Sequence, residues 1–92
     1  MRLVWTNAAV IDLEQISDYL FEMNPELATP TIQRIFKSTS ELKLFPRRGR
    51  TGRKEGTREL VLTQLPYLIV YEVVDQSVRV LRVLHGARKW PE

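Results

Sequence analysis

The chain has 92 residues, 43% of them hydrophobic, with no cysteine, one histidine and a formal net charge of +3. The lack of cysteine excludes disulfides and thiolate metal sites, one histidine cannot build a zinc site, and no apolar run reaches the roughly 20 residues of a membrane span. We therefore expect a single cytoplasmic domain over residues 1–92, with no metal, no other cofactor and no membrane partner.

The charge is unevenly distributed along the chain. Residues 1–46 contain four Lys/Arg and six Asp/Glu, a net charge of −2, whereas residues 47–92 contain ten and five, a net charge of +5. The basic half predicts an anionic partner, and nucleic acid, a ribosome or an acidic protein would each fit. The alternative is that the charge serves only solubility.

The first half of the sequence predicts a strand followed by a helix. The segment 2–6 alternates and is rich in large or β-branched residues, which favours a strand. Asn7 is expected to cap a first helix, whose apolar residues recur every three to four positions and whose acidic residues are expected to face solvent. The apolar positions are Ala9, Leu13, Ile16, Leu20 and Met23, and the acidic positions are Asp12, Glu14, Asp18 and Glu22.

A second helix is predicted to start at Asn24-Pro25, which completes a helical hairpin. Its apolar row consists of Ala28, Ile32, Ile35, Phe36 and Leu42. Pro30 interrupts this pattern, because a proline inside a helix removes a backbone hydrogen bond and costs roughly 3 kcal/mol. Either Thr29 is the true cap or the helix is kinked at Pro30. Phe45-Pro46 is expected to end the helix.

The second half predicts an exposed loop and then three strands. Residues 47–56 contain three glycines and five cations without an apolar residue. The strands are expected at 57–63, 67–74 and 77–84, with a tight turn at Asp75-Gln76. The expected fold is α+β: an N-terminal strand, a helical hairpin and a three-stranded antiparallel meander forming one mostly antiparallel sheet. One sheet face stays open, and Trp90-Pro91 is expected to pack on the sheet.

Several short motifs occur in an order that carries a family resemblance. They are Trp5, Asp12-Leu13, Ile16, Tyr19, Asn24-Pro25, Pro46, Gly49, Gly56-Thr57-Arg58-Glu59-Leu60-Val61, Pro66-Tyr67-Leu68-Ile69-Val70-Tyr71 and Val83-Leu84-His85-Gly86-Ala87-Arg88. Each motif is weak alone. Together they resemble the RelE/ParE toxin superfamily over essentially the whole chain.

This resemblance implies the growth-arresting toxin of a type II toxin–antitoxin system. It also implies a cognate antitoxin that wraps the sheet and helices with a flexible, often acidic segment. RelE-like members are mRNA interferases that cut mRNA on the ribosome, whereas ParE-like members inhibit DNA gyrase and are not known to catalyse a reaction. The sequence leaves open whether this chain is an enzyme.

His85, Arg58 and Arg88 are the catalytic candidates if the chain is a ribonuclease. RNA cleavage needs a base for the ribose 2′-hydroxyl, cations for the phosphate and an acid or charge stabiliser for the departing oxygen. His85 is the only imidazole, and in the family a basic residue at the position of Arg58 commonly points into the open sheet face. The alternatives are a structural histidine at a strand end and an Arg58–Glu59 or cross-strand ion pair.

Other basic residues are candidates for binding an anionic target or the antitoxin. Five of them lie in the loop, whose glycines would let it close over a partner, although such a run is also typical of a solvated loop. Strand alternation puts Arg82 and Arg79 on opposite faces and gives Arg79 the face of His85. The complete set is Arg47, Arg48, Arg50, Arg53, Lys54, Arg79 and Lys89.

Departures from the RelE pattern favour the gyrase-directed interpretation. RNA-cleaving members carry several basic residues on adjacent strands and often a tyrosine in a C-terminal extension, whereas here Leu68 follows Tyr67 and the chain stops at Glu92. Tyr67 and Tyr71 are interpreted as core residues rather than as base-stacking residues. A third hypothesis, from another class, is a nontoxic basic nucleic-acid-binding module.

Overall fold

The computed structural model describes residues 1–86 and 90–91. Its elements are β1 (Arg2–Trp5), α1 (Asn7–Met23), α2 (Pro25–Glu41), β2 (Arg50–Thr51), β3 (Arg58–Val61), β4 (Tyr67–Val74) and β5 (Ser77–His85). The strands form one sheet in the order β1-β5-β4-β3-β2, in which β1 runs parallel to β5 and the other neighbours are antiparallel. The predicted α+β fold, with a helical hairpin and an antiparallel meander, is confirmed.

The first helix is capped by Thr6 and not by Asn7. The Thr6 hydroxyl accepts a hydrogen bond from the Ala9 backbone N–H and donates to backbone carbonyls of β5, at 2.9 Å to Val80 and 3.1 Å to Leu81. A threonine oxygen satisfies one of the first helical N–H groups, which have no partner within the helix. The same side chain therefore starts α1 and ties it to the sheet where β1 ends.

The second helix runs without a break through Pro30. Pro25 is its first residue, as predicted, and Asn24 makes no side-chain cap hydrogen bond. Thr29 is inside the helix and is therefore not its cap. Ala28, Ile35 and Leu42 are fully buried, and this packing offsets the cost of the proline.

The segment 47–56 is not only a loop, since it contains the short strand β2. Arg50 and Thr51 pair with Glu59 and Arg58.

The tight turn at Asp75-Gln76 is confirmed, with φ values of 50° and 62° that suit a two-residue hairpin turn. No helix within the described residues is both long enough and apolar enough to cross a membrane.

The main core lies between the helices and one face of the sheet, here called the helix face. It includes Ala9, Ile35 and Leu42 from the helical half and alternate residues of β4 and β5. The opposite face, the open face, carries a smaller cluster of Leu68, Val70 and Leu84, against which Leu81 and Trp90 pack. The predicted packing of Trp90 onto the sheet is therefore confirmed.

A bulge in β5 changes which residues face the helices. Val70 pairs with Arg82, but the next residue, Tyr71, pairs with Val80, so Leu81 is an extra residue in β5. An extra residue reverses the alternation of side chains beyond it. This bulge decides where the basic residues of β5 lie.

Candidate functional site

Asp12 lies in the interior and not on the solvent side of α1 as predicted. It is 5% exposed and accepts two hydrogen bonds from the Arg82 guanidinium, at 2.7 and 2.9 Å, and one from the Val83 backbone N–H at 3.0 Å. A buried carboxylate is tolerated when its oxygens are paired in this way. Asp12 therefore joins α1 to the strand segment just after the bulge.

His85 lies at the end of β5 on the helix face. It pairs with Tyr67, and the two rings meet edge to face with centroids 5.9 Å apart. Its side chain is exposed and lines a groove between the helices and the turn at 64–66. An imidazole at the mouth of a groove is accessible to a partner or a substrate.

Arg58 lies on the helix face and not on the open face as predicted. It pairs with Tyr71, a core residue of the helix face, and its guanidinium donates to the carbonyls of Gly49 at 2.8 Å and Arg47 at 3.5 Å. The Arg58–Glu59 pair considered from the sequence is absent among the described contacts, because Glu59 binds other arginines.

The two described catalytic candidates are far apart. Arg58 pairs with Tyr71, whereas His85 pairs with Tyr67, four residues away along β4. At about 3.3 Å per residue, this is roughly 13 Å along the strand. Arg88 and Lys89 lie outside the described residues. The structure therefore does not bring Arg58 and His85 into one site.

Arg79 lies on the open face and not on the face of His85 as predicted. It pairs with Glu72 across the strands, and its guanidinium donates to that carboxylate at 2.7 Å. Arg82, next to the extra residue, pairs with Val70 across the strands, and its guanidinium binds Asp12 of α1. The prediction from simple alternation was wrong because of the extra residue at Leu81.

The basic loop is organised around the buried carboxylate of Glu59. Arg50 donates to one oxygen at 3.1 Å, while the Arg53 backbone N–H and guanidinium donate to the other at 3.0 and 3.1 Å. Burial acts to raise the pKa of Glu59, but the hydrogen bonds from Arg53 and Arg50 outweigh burial and hold that pKa below its ordinary value. The guanidinium groups of Arg50 and Arg53 remain largely exposed.

Tyr71 fixes the other end of the loop. Its hydroxyl donates to the Pro46 carbonyl at 2.7 Å and accepts from the Gly49 backbone N–H at 2.9 Å. A Cβ atom on Gly49 would lie 2.7 Å from the Tyr71 ring, so only glycine fits there. Burial raises the pKa of Tyr71 and of Tyr67, as expected of the core residues that both were predicted to be. The loop is therefore held in place at two points.

The remaining loop cations differ in their contacts. Arg48 forms an exposed ion pair with Glu41 at 3.3 Å. Arg47 and Lys54 are exposed, and neither side chain has an ion-pair partner among residues 1–86 and 90–91. In the same part of the chain no cluster of three or more His, Cys, Asp or Glu side chains is arranged to hold a metal ion.

The groove beside His85 is lined mainly by apolar side chains. It has a volume of about 610 Å³ and is open to solvent. Its apolar walls come from both helices and from the turn between β3 and β4, and they include Ile16, Tyr19, Leu20, Leu27, Leu65 and Tyr67. Tyr19 and Leu27 are 60% and 53% exposed, so the groove presents apolar surface to solvent.

Asp12 and Glu59 are the structurally important acids that sequence reasoning did not single out. Both stand in the motifs that carried the family resemblance. Their partners lie 70 residues away in the case of Arg82 and within the loop in the case of Arg50 and Arg53.

Comparisons with known proteins agree with this fold. The family described as the ParE toxin of the type II toxin–antitoxin system parDE matches residues 3–90. The chain is 36% identical to putative toxin Y4kP of Sinorhizobium fredii, over 99% of this chain and 94% of that protein. It is 37% identical to toxin RelE2 of Caulobacter vibrioides, over 95% and 97% of the two chains.

Two solved structures are similar as well. A chain of the chromosomal ParDE system from P. aeruginosa superimposes with a TM-score of 0.85 at 28% identity, over 92% of this chain and 95% of that one. A chain of the RelBE2 toxin–antitoxin complex from Mycobacterium tuberculosis gives a TM-score of 0.58 at 25% identity, over 91% and 95%. The chain belongs to the ParE toxin family, within the RelE/ParE group of type II toxin–antitoxin toxins.

Proposed function

We propose that this toxin arrests growth by inhibiting DNA gyrase without catalysing a reaction itself. The observation that carries the proposal is the separation of Arg58 from His85. Arg58 lies opposite Tyr71 of β4 and donates to a loop carbonyl. His85 lies opposite Tyr67, at the start of β4, beside the groove. General acid–base cleavage of RNA needs its base and its phosphate-binding cations around one reacting phosphate.

The ion pairs formed by the arginines of the sheet and the loop also support a noncatalytic toxin. Arg79 is paired with Glu72, Arg82 with Asp12, and Arg50 and Arg53 with Glu59. A guanidinium bound to a carboxylate has less charge to offer to a phosphate. The higher TM-score with the chain of the ParDE system than with the chain of the RelBE2 complex supports the same proposal.

A supercoiling assay with purified gyrase tests this proposal. The wild-type toxin is expected to block supercoiling or to accumulate cleaved DNA complexes, and DNA synthesis should stop before protein synthesis after induction in cells. His85→Ala should retain both effects. If supercoiling is unaffected and no DNA damage response follows induction, gyrase is not the target.

The second candidate function is ribosome-dependent cleavage of mRNA. The specific observations in its favour are the 37% identity to a protein named toxin RelE2 and the exposed imidazole of His85. In that case His85 would be the acid or base, with Arg88 as a phosphate ligand. Primer extension on cellular mRNA would then show cuts after induction of the wild type, and His85→Ala would abolish both the cuts and toxicity.

We also propose that the groove beside His85 receives part of a cognate antitoxin. The similar solved structures are toxin–antitoxin systems, and the exposed Tyr19 and Leu27 would be covered by an apolar helix or strand of a partner. An acidic segment would suit the net charge of +5 in residues 47–92. A short neighbouring reading frame, acidic in its C-terminal half, should yield a protein that co-purifies with the toxin and restores growth.

A further inference from the structure

The turn between α2 and β2 exposes two large apolar side chains beside arginines. Leu44 is 75% exposed and Phe45 is 60% exposed, and a concave surface next to them is lined by Phe45, Pro46, Arg47 and Arg48. We call Leu44, Phe45, Arg47 and Arg48 the Phe45 corner. It lies at the far end of α2 from Leu27, and none of its residues lines the groove beside His85.

The backbone of the Phe45 corner is held rigidly. The Phe45 N–H donates to the Glu41 carbonyl at 3.0 Å, and the Arg48 N–H donates to the Phe45 carbonyl at 3.1 Å. The Tyr71 hydroxyl binds the Pro46 carbonyl, and Arg58 binds the carbonyls of Arg47 and Gly49. These bonds fix a turn that directs Leu44 and Phe45 into solvent, where each loses the free energy of burial.

An exposed aromatic side chain on a fixed backbone, next to arginine side chains, is typical of a protein-binding hot spot. Such sites combine aromatic and Arg side chains, and a rigid backbone lowers the entropy lost on binding. Phosphate-backbone binding, by contrast, uses cations and N–H donors and gains nothing from an exposed leucine. The apolar pair therefore favours a protein partner over nucleic acid.

The charge of the corner determines the partner's chemistry. Glu41, the last residue of α2, pairs with Arg48 of the corner, while the Arg47 guanidinium has no ion-pair partner among the described residues. We infer that the Phe45 corner is the target-binding surface of the toxin, and that it fits a protein with an apolar pocket bordered by carboxylates. That this protein is gyrase rests on the proposed function.

The test uses two variants of the corner and two matched controls. Phe45→Ser removes the apolar anchor, and Arg47→Glu reverses the charge while keeping the backbone carbonyl that Arg58 binds. Phe21→Ser, at an aromatic residue 51% exposed on α1, and Arg34→Glu, at an exposed arginine in the middle of α2, make the same changes elsewhere. Thermal unfolding of each variant checks that it is folded.

Two measurements, affinity for gyrase and growth arrest, test separately whether the corner binds the target and whether the target is gyrase. Affinity for purified gyrase holoenzyme should fall about 30-fold or more in both corner variants, and growth arrest should be lost, while the controls behave as the wild type. If the wild type does not bind gyrase but only the corner variants lose growth arrest, the corner is supported and the proposed target is wrong.

Two outcomes would overturn the inference. In the first, folded Phe45→Ser and Arg47→Glu proteins arrest growth and bind gyrase as the wild type does. In the second, Arg47→Glu loses binding to mixed-sequence duplex DNA and loses growth arrest, whereas Phe45→Ser changes neither. That pattern would identify a nucleic-acid surface instead of a protein-binding one.

Discussion

At the scale of single residues, Asp12 connects α1 to β5 through hydrogen bonds to Arg82 and to the Val83 backbone. The Arg82 side chain is only 21% exposed. Asp12→Ala removes the carboxylate to which its guanidinium donates two hydrogen bonds. We expect the free energy of unfolding to fall by about 3 kcal/mol, because breaking one side of a buried ion pair leaves a charge with less compensation. Urea unfolding at neutral pH measures this change.

A matched control is the exposed pair of Arg79 and Glu72, whose side chains are 46% and 24% exposed. Glu72→Ala is expected to lower the free energy of unfolding by about 1 kcal/mol or less. If Asp12→Ala and Glu72→Ala lower the free energy of unfolding equally, burial of the Asp12–Arg82 pair does not make its loss more costly than that of an exposed pair.

Glu59 gives the toxin an acid-sensitive loop anchor. Its pKa in the folded state lies below the ordinary value of 4.5, so its contribution to stability is complete above about pH 4.5. As the pH falls below 4.5, Glu59 takes up a proton in the unfolded chain before it does so in the folded one. The stability that its carboxylate contributes therefore decreases until the pH has passed the folded-state pKa. Glu59→Gln should therefore flatten the decrease in the urea midpoint that occurs as the pH falls below about 4.5.

Glu55 is the control for that pH series, because it is an exposed acid of the same loop. Glu55→Gln should leave the slope of the wild type unchanged. If Glu59→Gln follows the wild-type slope as well, the carboxylate of Glu59 does not couple folding to protonation.

The sequence contained more about Asp12 than its chemistry suggested. In a helix, position 12 follows Ala9 by three residues and precedes Ile16 by four, so it lies on the same face as these apolar residues. The prediction placed it in solvent because it is an acid. Its partner Arg82 is 70 positions away, and no local pattern indicates such a pair.

At the scale of elements, Tyr71 holds the loop between α2 and β3 to the sheet. Tyr71→Phe removes the hydroxyl that binds Pro46 and Gly49, and leaves the buried N–H of Gly49 without this acceptor. The loss should be about 1 kcal/mol or somewhat more. Trypsin should then cleave within residues 47–54 roughly 5- to 10-fold faster, because local opening becomes more frequent.

Tyr67→Phe is the appropriate comparison, since Tyr67 lies on the same strand and the same face as Tyr71. Its cleavage pattern should match that of the wild type. Identical digestion of the Tyr71→Phe protein would show that the loop does not depend on this hydroxyl.

The elements themselves were largely predictable, whereas their irregularities were not. The periodicity of the helices and the alternation of β3 to β5 gave the α+β order and the open face. Leu81 looks like any other strand residue, yet its extra position in β5 reverses the placement of Arg79 relative to His85. The loop glycines suggested free movement, but Glu59 and Tyr71 fix that loop through long-range contacts.

At the scale of the whole molecule, the groove and the Phe45 corner lie at opposite ends of α2. The helix has 17 residues and is therefore about 25 Å long. Leu27, near its start, lines the groove, and Leu44 follows its end. Two surfaces this far apart can be altered separately.

This separation predicts that a leucine-to-glutamate change has different effects in the groove and in the Phe45 corner. Leu27→Glu puts a charge into the apolar groove and should weaken co-purification with the antitoxin by about 10-fold or more, because a buried carboxylate without a partner is costly. Leu44→Glu should leave antitoxin binding intact and abolish growth arrest. Affinity capture on tagged antitoxin, followed by induction of each toxin alone in cells, measures both effects. If Leu27→Glu and Leu44→Glu weaken antitoxin binding equally, the antitoxin covers both ends of α2, and the toxin has one continuous binding surface instead of two.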